Sequence, residues 1–196
     1  LEYTGGKLHI PTISTKKSVA LISEAKKKGL HVTCSVSAHH LTLTDDELAH
    51  FDGNFKVSPP LRTEKDCKAL INGVKSGAID VITSDHNPID IEHKKVEFSA
   101  AKSGTIGLET MFGAINTKLN LSESIACITS KPRAIFSLEQ AHIEVGEKAD
   151  ITLFNPNKRY TFSKESILST SKNSVFLGKS LKGKAYGIFA NNQLVI

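Results

Sequence analysis

The pattern of apolar and polar residues changes abruptly at three places where strands are predicted to end. Residues 79–83 form an apolar run within AIDVITSDHNP, and the polar pair Asp85 and His86 follows soon after. Two earlier segments, KLHIPTIST at 7–15 and LHVTCSVSAHH at 30–40, have the same form. Continuous apolar strands are typical of buried parallel sheets, whose active sites lie at the carboxyl ends of the strands. The pattern therefore places Asp85 where an active-site carboxylate is expected.

Helical segments separate the three predicted strands. Ser14 or Thr15 is suited to cap a helix that ends at Gly29, and a second helix is predicted within 63–77. Residues 44–47, TDDE, have the form of a capping box for a short helix between them. The alternation of strands and helices is typical of right-handed parallel crossovers, so we expect an α/β fold with all three strand ends on one face.

The pattern changes after Asp85. Residues 87–103 have no clear period and are predicted to form a loop. Three helices are then expected, followed by a β region in which Asn191-Asn192 forms a hairpin turn. The helices are predicted at 108–119 and 122–128 and from residue 131, and the strands at 149–154, 160–162 and 185–196.

Composition argues against nucleic-acid-binding, secreted and membrane proteins. The chain has 196 residues, 39% of them hydrophobic, and a formal net charge of +5. No zinc finger or interleaving of aromatic and basic residues accompanies that charge, so we expect no nucleic-acid partner. Cys34, Cys67 and Cys127 form no CxxC pair, which favours reduced thiols and a cytoplasmic location. No apolar run of membrane-spanning length is present, so no membrane association is predicted.

Several segments together resemble dihydroorotases, members of the cyclic amidohydrolase superfamily. They are LHIPTIST, VTCSVSAHHLTLT, KVSPPLRTEKD, IDVITSDHNP, GTIGLET and VGEKADITLFNP, and they occur in the family's order. The resemblance is to the C-terminal half of the family. It implies the C-terminal part of a (β/α)8 barrel, about three strands with their helices, over 1–140, and a small β-sandwich segment over 141–196.

The resemblance also implies a reaction and roles for particular residues. The family reversibly cyclises N-carbamoyl-aspartate to dihydroorotate in pyrimidine biosynthesis, with zinc as cofactor. Asp85 matches the family's catalytic aspartate, which carries the proton and also contacts the metal. Ser58 and Ile89 stand at substrate-binding positions where the family has asparagine and histidine. Backbone groups near Gly104 contact the pyrimidine ring in active relatives.

Four of these positions depart from the family pattern. Thr12 replaces a metal-binding histidine, and Ser35 replaces a glutamate that reaches the metal in some relatives. A neutral hydroxyl is a poor zinc ligand. Ser58 and Ile89 lack the usual substrate-binding groups. The remaining metal ligands of the family would precede Leu1, so we expect a fragment or a shortened version of a longer protein, inactive alone and not retaining zinc.

The other histidines have competing interpretations. His39 and His40 are expected to pack or to order a loop rather than to catalyse, whereas His86 could equally orient Asp85 or line the site. His9 is expected to be a hydrogen-bonded core residue. A separate metal site formed by His9, His39 and Asp85 is the less favoured interpretation.

Two further sequence features have simpler structural interpretations. Arg62 follows the Pro-Pro pair and is expected to secure its loop rather than to bind a carboxylate. Gly104 and Gly107 are expected to serve a tight turn.

Two functional hypotheses follow from these observations. The first is a dihydroorotase-type enzyme acting on a small-molecule substrate, with Asp85 as proton carrier. The second is a catalytically silent relative that keeps the fold for assembly, with aspartate transcarbamoylase as a possible partner. In either case the open edge of a partial barrel predicts a homo-oligomer.

Overall fold

The computed structural model describes residues 1–196 and contains two sheets. A three-stranded parallel sheet comes first in the chain, and a three-stranded antiparallel sheet comes last. The parallel sheet has the order β1-β2-β3, with β1 at Leu8–Ile10, β2 at Val32–Ser37 and β3 at Val81–Thr83. All three strands are where the sequence predicts them. β1 and β3 are shorter than their apolar runs because the chain leaves the sheet soon after each strand reaches its carboxyl end.

Three helices lie between the parallel strands, α1 (Lys16–Lys27), α2 (Ala38–Thr42) and α3 (Glu64–Ser76). Thr15 caps α1 and Thr63 caps α3, and each side chain accepts the backbone N–H three residues further on. Gly29 and Gly77 follow α1 and α3 with left-handed φ values of 77°. Only glycine adopts that conformation without strain, and both helices therefore end where the sequence predicts.

The predicted capping box at 44–47 does not form. A 3-10 helix occupies Asp45–His50, and the Thr44 hydroxyl donates to the Asp46 carboxylate (2.9 Å) instead of accepting a backbone N–H. Glu47, the expected return partner, forms an ion pair with Lys179 on the far side of the chain. The motif fails because Thr44 bonds to a neighbour two residues away and Glu47 to a lysine 132 residues away, and local spacing does not reveal the second partner. A second short 3-10 helix follows at Gly53–Phe55.

Four helices follow β3, α4 (Ile91–Lys94), α5 (Met111–Ile115), α6 (Leu121–Ile128) and α7 (Ser130–Ile135). The prediction of a loop throughout 87–103 is wrong at α4, where Asp90 accepts the Glu92 N–H (3.0 Å) and caps a single turn. The helix predicted at 108–119 is shorter than expected. The longest helix of the chain is α3 with 13 residues, and no helix meets the length and hydropathy of a membrane span.

The antiparallel sheet contains β4 (Ile151–Thr161), β5 (Ser180–Ala190) and β6 (Gln193–Val195). The two strands predicted at 149–154 and 160–162 are one strand, with a shift in register between Asn155 and Arg159. The predicted hairpin turn is confirmed, because Asn191 and Asn192 both have positive φ, 52° and 59°. Two successive left-handed residues are the requirement of a type I′ turn, which asparagine tolerates.

One hydrophobic core connects the two parts of the chain. It includes side chains of the parallel sheet and its helices together with side chains that flank or belong to the antiparallel sheet. Its members include Val36, Leu41, Leu70, Ile106, Phe162, Phe176 and Leu181. The core fixes the segments after β3 against the carboxyl ends of the parallel strands, where Asp85 lies.

Candidate functional site

Two residues beyond the ends of parallel strands have strained backbones. Asp85 follows β3 with a φ of 47°, and Thr12 follows β1 with a φ of 49°. A left-handed conformation is uncommon for any residue with a Cβ, and for a β-branched residue such as Thr12 it is a clear outlier. The Thr12 N–H donates to Ser35 Oγ (3.1 Å), which links the end of β1 to β2. The surrounding fold, rather than local preference, therefore fixes this edge of the sheet.

The Asp85 carboxylate lies beside a fully buried histidine. Its Oδ2 is 3.7 Å from Nε2 of His39, and the two side chains are 32% and 1% exposed. Burial raises the pKa of Asp85 above its ordinary value. Burial, and then the neighbouring His40, lowers the pKa of His39 to about 3, so the His39 ring is neutral at pH 7. The pair is thus a carboxylate facing a neutral imidazole.

The neighbouring His40 has a structural role. Its Nε2 donates to the carbonyl of Pro59 (3.0 Å), and Nδ1 therefore accepts from the Ser37 hydroxyl. Burial lowers the pKa of His40 too, which keeps this arrangement of protons. His40 holds the Pro-Pro loop against the end of β2, as expected of a loop-ordering residue, although it lies in helix α2 and not in a loop.

His86 faces the backbone that follows the site. Its Nδ1 accepts the N–H groups of Gly107 (3.2 Å) and Leu108 (3.4 Å), so the ring's proton is on Nε2. The segment can approach so closely because residue 107 has no side chain: a Cβ on Gly107 would lie 2.1 Å from the Ser84 carbonyl oxygen. Gly107 does begin a turn, because its carbonyl accepts the Thr110 N–H (3.2 Å), but its φ is not positive and the close approach to Ser84 is what requires glycine there.

The substrate-binding positions implied by the resemblance lie on adjoining loops. Gly104 has a φ of 149°, and a Cβ there would lie 2.7 Å from the Ile89 side chain. Asn173 joins the two, because Ile89 N–H donates to its Oδ1 (3.1 Å) and its Nδ2 donates to the Gly104 carbonyl (3.0 Å). Ser58 is exposed on the Pro-Pro loop, two residues beyond Lys56, whose carbonyl accepts the Gly104 N–H (2.9 Å).

Comparison with known proteins identifies the family to which the chain belongs. The sequence pattern of the amidohydrolase family matches residues 4–184. The chain belongs to the amidohydrolase family. The dihydroorotase of Caldicellulosiruptor saccharolyticus is 40% identical over 98% of this amidohydrolase chain and 46% of its own length. That of Caldanaerobacter subterraneus subsp. tengcongensis is 44% identical over 92% of the chain and 43% of its own. The predicted resemblance to dihydroorotase is confirmed, and the chain spans less than half of these relatives.

Solved structures agree with this amidohydrolase fold. A D-hydantoinase (dihydropyrimidinase) from Thermus sp. superimposes with a TM-score of 0.90 at 23% identity, over 100% of this chain and 46% of that one. An inactive dihydroorotase-like domain of a multifunctional protein from Chaetomium thermophilum gives a TM-score of 0.69 at 23% identity, over 96% of this chain and 50% of that one. At these identities the likeness shows the fold alone.

His9 and Arg62 of this amidohydrolase chain have structural contacts that do not involve Asp85. His9 Nδ1 hydrogen-bonds to Thr33 Oγ1 (2.8 Å), and its ring packs edge-on against Phe136. This half-buried histidine lines a cavity of about 610 Å³ that also contains Asp80, the residue before β3, at the amino ends of the strands. Arg62 donates to Ser14 Oγ (3.4 Å) and its carbonyl accepts the Asp45 N–H, so it secures its loop as expected.

The less favoured interpretation, a metal site formed by His9, His39 and Asp85, is not compatible with the structure. His9 is the middle residue of β1 and lines a cavity with residues that precede β2 and β3, whereas Asp85 lies beyond the carboxyl end of β3. No group of three or more histidine, cysteine, aspartate or glutamate side chains in the chain could hold a metal ion. The sequence pattern alone could not exclude this metal site. It predicts which strand a residue belongs to, but not at which end of the sheet its side chain lies.

The structure contains a buried lysine that the sequence pattern does not predict. Lys94 is 5% exposed, and its Nζ donates to the carbonyls of Gly53 (2.8 Å) and Lys56 (3.2 Å). Burial lowers the pKa of this amine to about 8, an effect that nearby Asp52 opposes. Lys94 therefore anchors the 87–103 segment to the loop that leads to Ser58. In the sequence it is indistinguishable from its exposed neighbour Lys95.

Proposed function

We propose that this chain is the part of a dihydroorotase-type cyclic amidohydrolase that supplies the proton-carrying aspartate. In the complete protein, residues 1–140 form part of a (β/α)8 barrel and residues 141–196 form the β-sandwich segment. The reaction is the reversible cyclisation of N-carbamoyl-aspartate to dihydroorotate in pyrimidine biosynthesis, in the cytoplasm. The identity of 40–44% to dihydroorotases supports this assignment.

The observation that carries the proposal is the placement of Asp85. A half-buried carboxylate at the carboxyl end of a parallel strand is the position from which α/β enzymes act. In the direction of hydrolysis, an Asp85 oxygen accepts a proton from the attacking water and returns it to the departing ring nitrogen. Because burial raises its pKa, Asp85 holds that proton more readily than an exposed aspartate does.

The residues of this chain do not fit a zinc ion by themselves. Zinc takes imidazole, thiolate and carboxylate ligands, and a structural or catalytic site uses at least three of them. At the carboxyl ends of the strands the chain offers only two such groups near each other, the Asp85 carboxylate and the His39 ring, besides the hydroxyls of Thr12 and Ser35. The role proposed for Asp85 is accordingly proton transfer, and no metal-binding role is proposed for it.

A second candidate function is a catalytically silent relative that serves assembly. Four substitutions favour it, because Thr12, Ser35, Ser58 and Ile89 have all lost the group that the family uses. The Chaetomium thermophilum relative is itself described as inactive, so the fold occurs without the activity. Under this proposal the partner is a second copy of the chain or aspartate transcarbamoylase.

Assays of the longer natural polypeptide that contains this chain distinguish the two functions. If the chain belongs to an active enzyme, the wild type hydrolyses dihydroorotate and Asp85→Asn abolishes turnover while the protein stays folded. If the chain is silent, the wild type is inert. In that case Thr12→His, Ser58→Asn and Ile89→His together restore measurable hydrolysis, provided that the preceding sequence supplies the other ligands.

A matched control tests whether Asp85 acts through its chemistry. Asp80 is also an aspartate beside β3, but it pairs with Lys26 (2.7 Å) at the amino ends of the strands. We expect Asp80→Asn to lower stability and to leave the turnover of the folded enzyme within a few-fold. An equal loss of turnover in Asp80→Asn and Asp85→Asn would count against a direct role for Asp85.

A further inference from the structure

The Nε2 atom of His39 has no hydrogen-bond partner within the fold. It is one of three buried side-chain polar atoms in the chain without one, although the residue is only 1% exposed. Leaving such an atom unpaired costs free energy. The adjacent His40 is equally buried, yet both of its ring nitrogens are hydrogen-bonded. The unpaired atom is therefore particular to His39 and not a general property of buried rings at this place.

The group that faces this unpaired atom is the candidate proton carrier. Asp85 Oδ2 lies 3.7 Å from His39 Nε2, slightly beyond the range of an N–H···O hydrogen bond. His39 is held by α2 directly after β2, whereas the Asp85 side chain is 32% exposed and its carboxylate makes no hydrogen bond within the chain. A small rotation of the carboxylate closes the gap. Hydrogen bonds of catalytic groups are commonly long before substrate binds and shorten afterwards.

We propose that His39 is a positioning residue for Asp85, with its Nε2–H donating to the carboxylate. The hydrogen bond would hold the second carboxylate oxygen toward the reacting atoms without any proton leaving the imidazole. This proposal rests on the proposed function only in giving Asp85 its role as proton carrier. The opposite tautomer, with the proton on Nδ1, would place the Nε2 lone pair against a negative oxygen and repel it.

The first test uses nuclear magnetic resonance and does not require turnover. The natural polypeptide is labelled with 15N-histidine, and the His39 signals are assigned by their absence in His39→Gln. We expect Nε2 of His39 to have the chemical shift of a protonated ring nitrogen, and to move when Asp85 is changed to Asn. His40 is the internal control, because its protonated Nε2 faces Pro59 and should move much less. An unprotonated Nε2, or no response to Asp85→Asn, would overturn the proposal.

The second test separates positioning from packing in a polypeptide that shows turnover. His39→Leu removes the donor at similar volume, and we expect kcat to fall about 10- to 100-fold with KM little changed. His39→Gln places an amide N–H near the position of Nε2 and should recover most of that loss. Equal kcat values in the two variants would contradict the positioning role. A wild type without turnover contradicts the proposed function, and the resonance experiment then decides the His39 proposal alone.

Discussion

Replacing Gly107 with alanine should disturb the site through the backbone alone. The added Cβ would lie 2.1 Å from the Ser84 carbonyl oxygen, and real Cβ contacts below 3.0 Å are essentially never seen. The two segments must therefore separate by about 0.9 Å. Ser84 precedes Asp85 directly, and Gly107 donates its N–H to His86. The separation should consequently shift Asp85 and His86, which follow Ser84 at the end of β3.

The magnitude follows from two effects at Gly107. Overpacking against rigid backbone costs about 1–3 kcal/mol, and weakening the hydrogen bond to His86 adds about 1 kcal/mol. The lower entropy of alanine in the unfolded chain offsets roughly 0.5 kcal/mol. We expect Gly107→Ala to lower the free energy of unfolding by about 1.5–3.5 kcal/mol. For a chain of this length, the melting temperature should fall by roughly 3–14 °C.

Urea unfolding of the wild type, Gly107→Ala and Gly77→Ala measures the effect and controls for it. Gly77 has a φ of 77° and no atom within 4 Å of an added Cβ, so Gly77→Ala introduces backbone strain without a clash. That strain is worth about 1–2 kcal/mol, and it arises before the amino end of β3, whereas Asp85 follows the carboxyl end. If Gly107→Ala were as stable as the wild type, the close approach inferred from the structure would be wrong.

Three further predictions concern metal, protonation and assembly. The 196-residue chain should hold far less than one zinc per chain after dialysis against a weak chelator, and near-stoichiometric zinc in elemental analysis would refute this. Because the pKa of Lys94 falls from 10.5 to about 8 on folding, the unfolded chain binds more protons between those values, so stability should rise with pH there. Urea unfolding at pH 8 and 10 should show the wild type gaining relative to Lys94→Met, and a constant difference would contradict the assignment. The chain should be a dimer or larger at tens of micromolar, because β1 is an unpaired edge strand and Leu8 and Leu21 are exposed. Light scattering that shows a single 21.2 kDa species would contradict this.

Local signals in the sequence predict the elements whose ends are determined locally. Thr15 and Thr63 cap their helices and Gly77 ends one, because a hydroxyl or a missing Cβ acts within four residues. Asn191 and Asn192 likewise determine their own turn. The apolar runs predict the parallel strands because burial on both faces leaves no alternation. These parts of the fold need no knowledge of distant residues.

The remaining features depend on contacts between distant residues. Glu47 looks like part of a capping box, but Lys179 takes its carboxylate. Lys94 looks like a surface lysine, but the carbonyls of Gly53 and Lys56 draw it inside. The meeting of His39 and Asp85 joins residues that are separated by a whole helical crossover. Spacing along the chain carries no information about such partners.

The left-handed backbone of Thr12 bears on how this site can change over evolutionary time. Histidine tolerates positive φ better than a β-branched residue does, and Thr12 nevertheless keeps a φ of 49°. The fold therefore imposes the shape of the strand end against the local preference of this side chain. The resemblance implies a histidine ligand at this position, and Thr12→His should accordingly need no rebuilding of the chain around it.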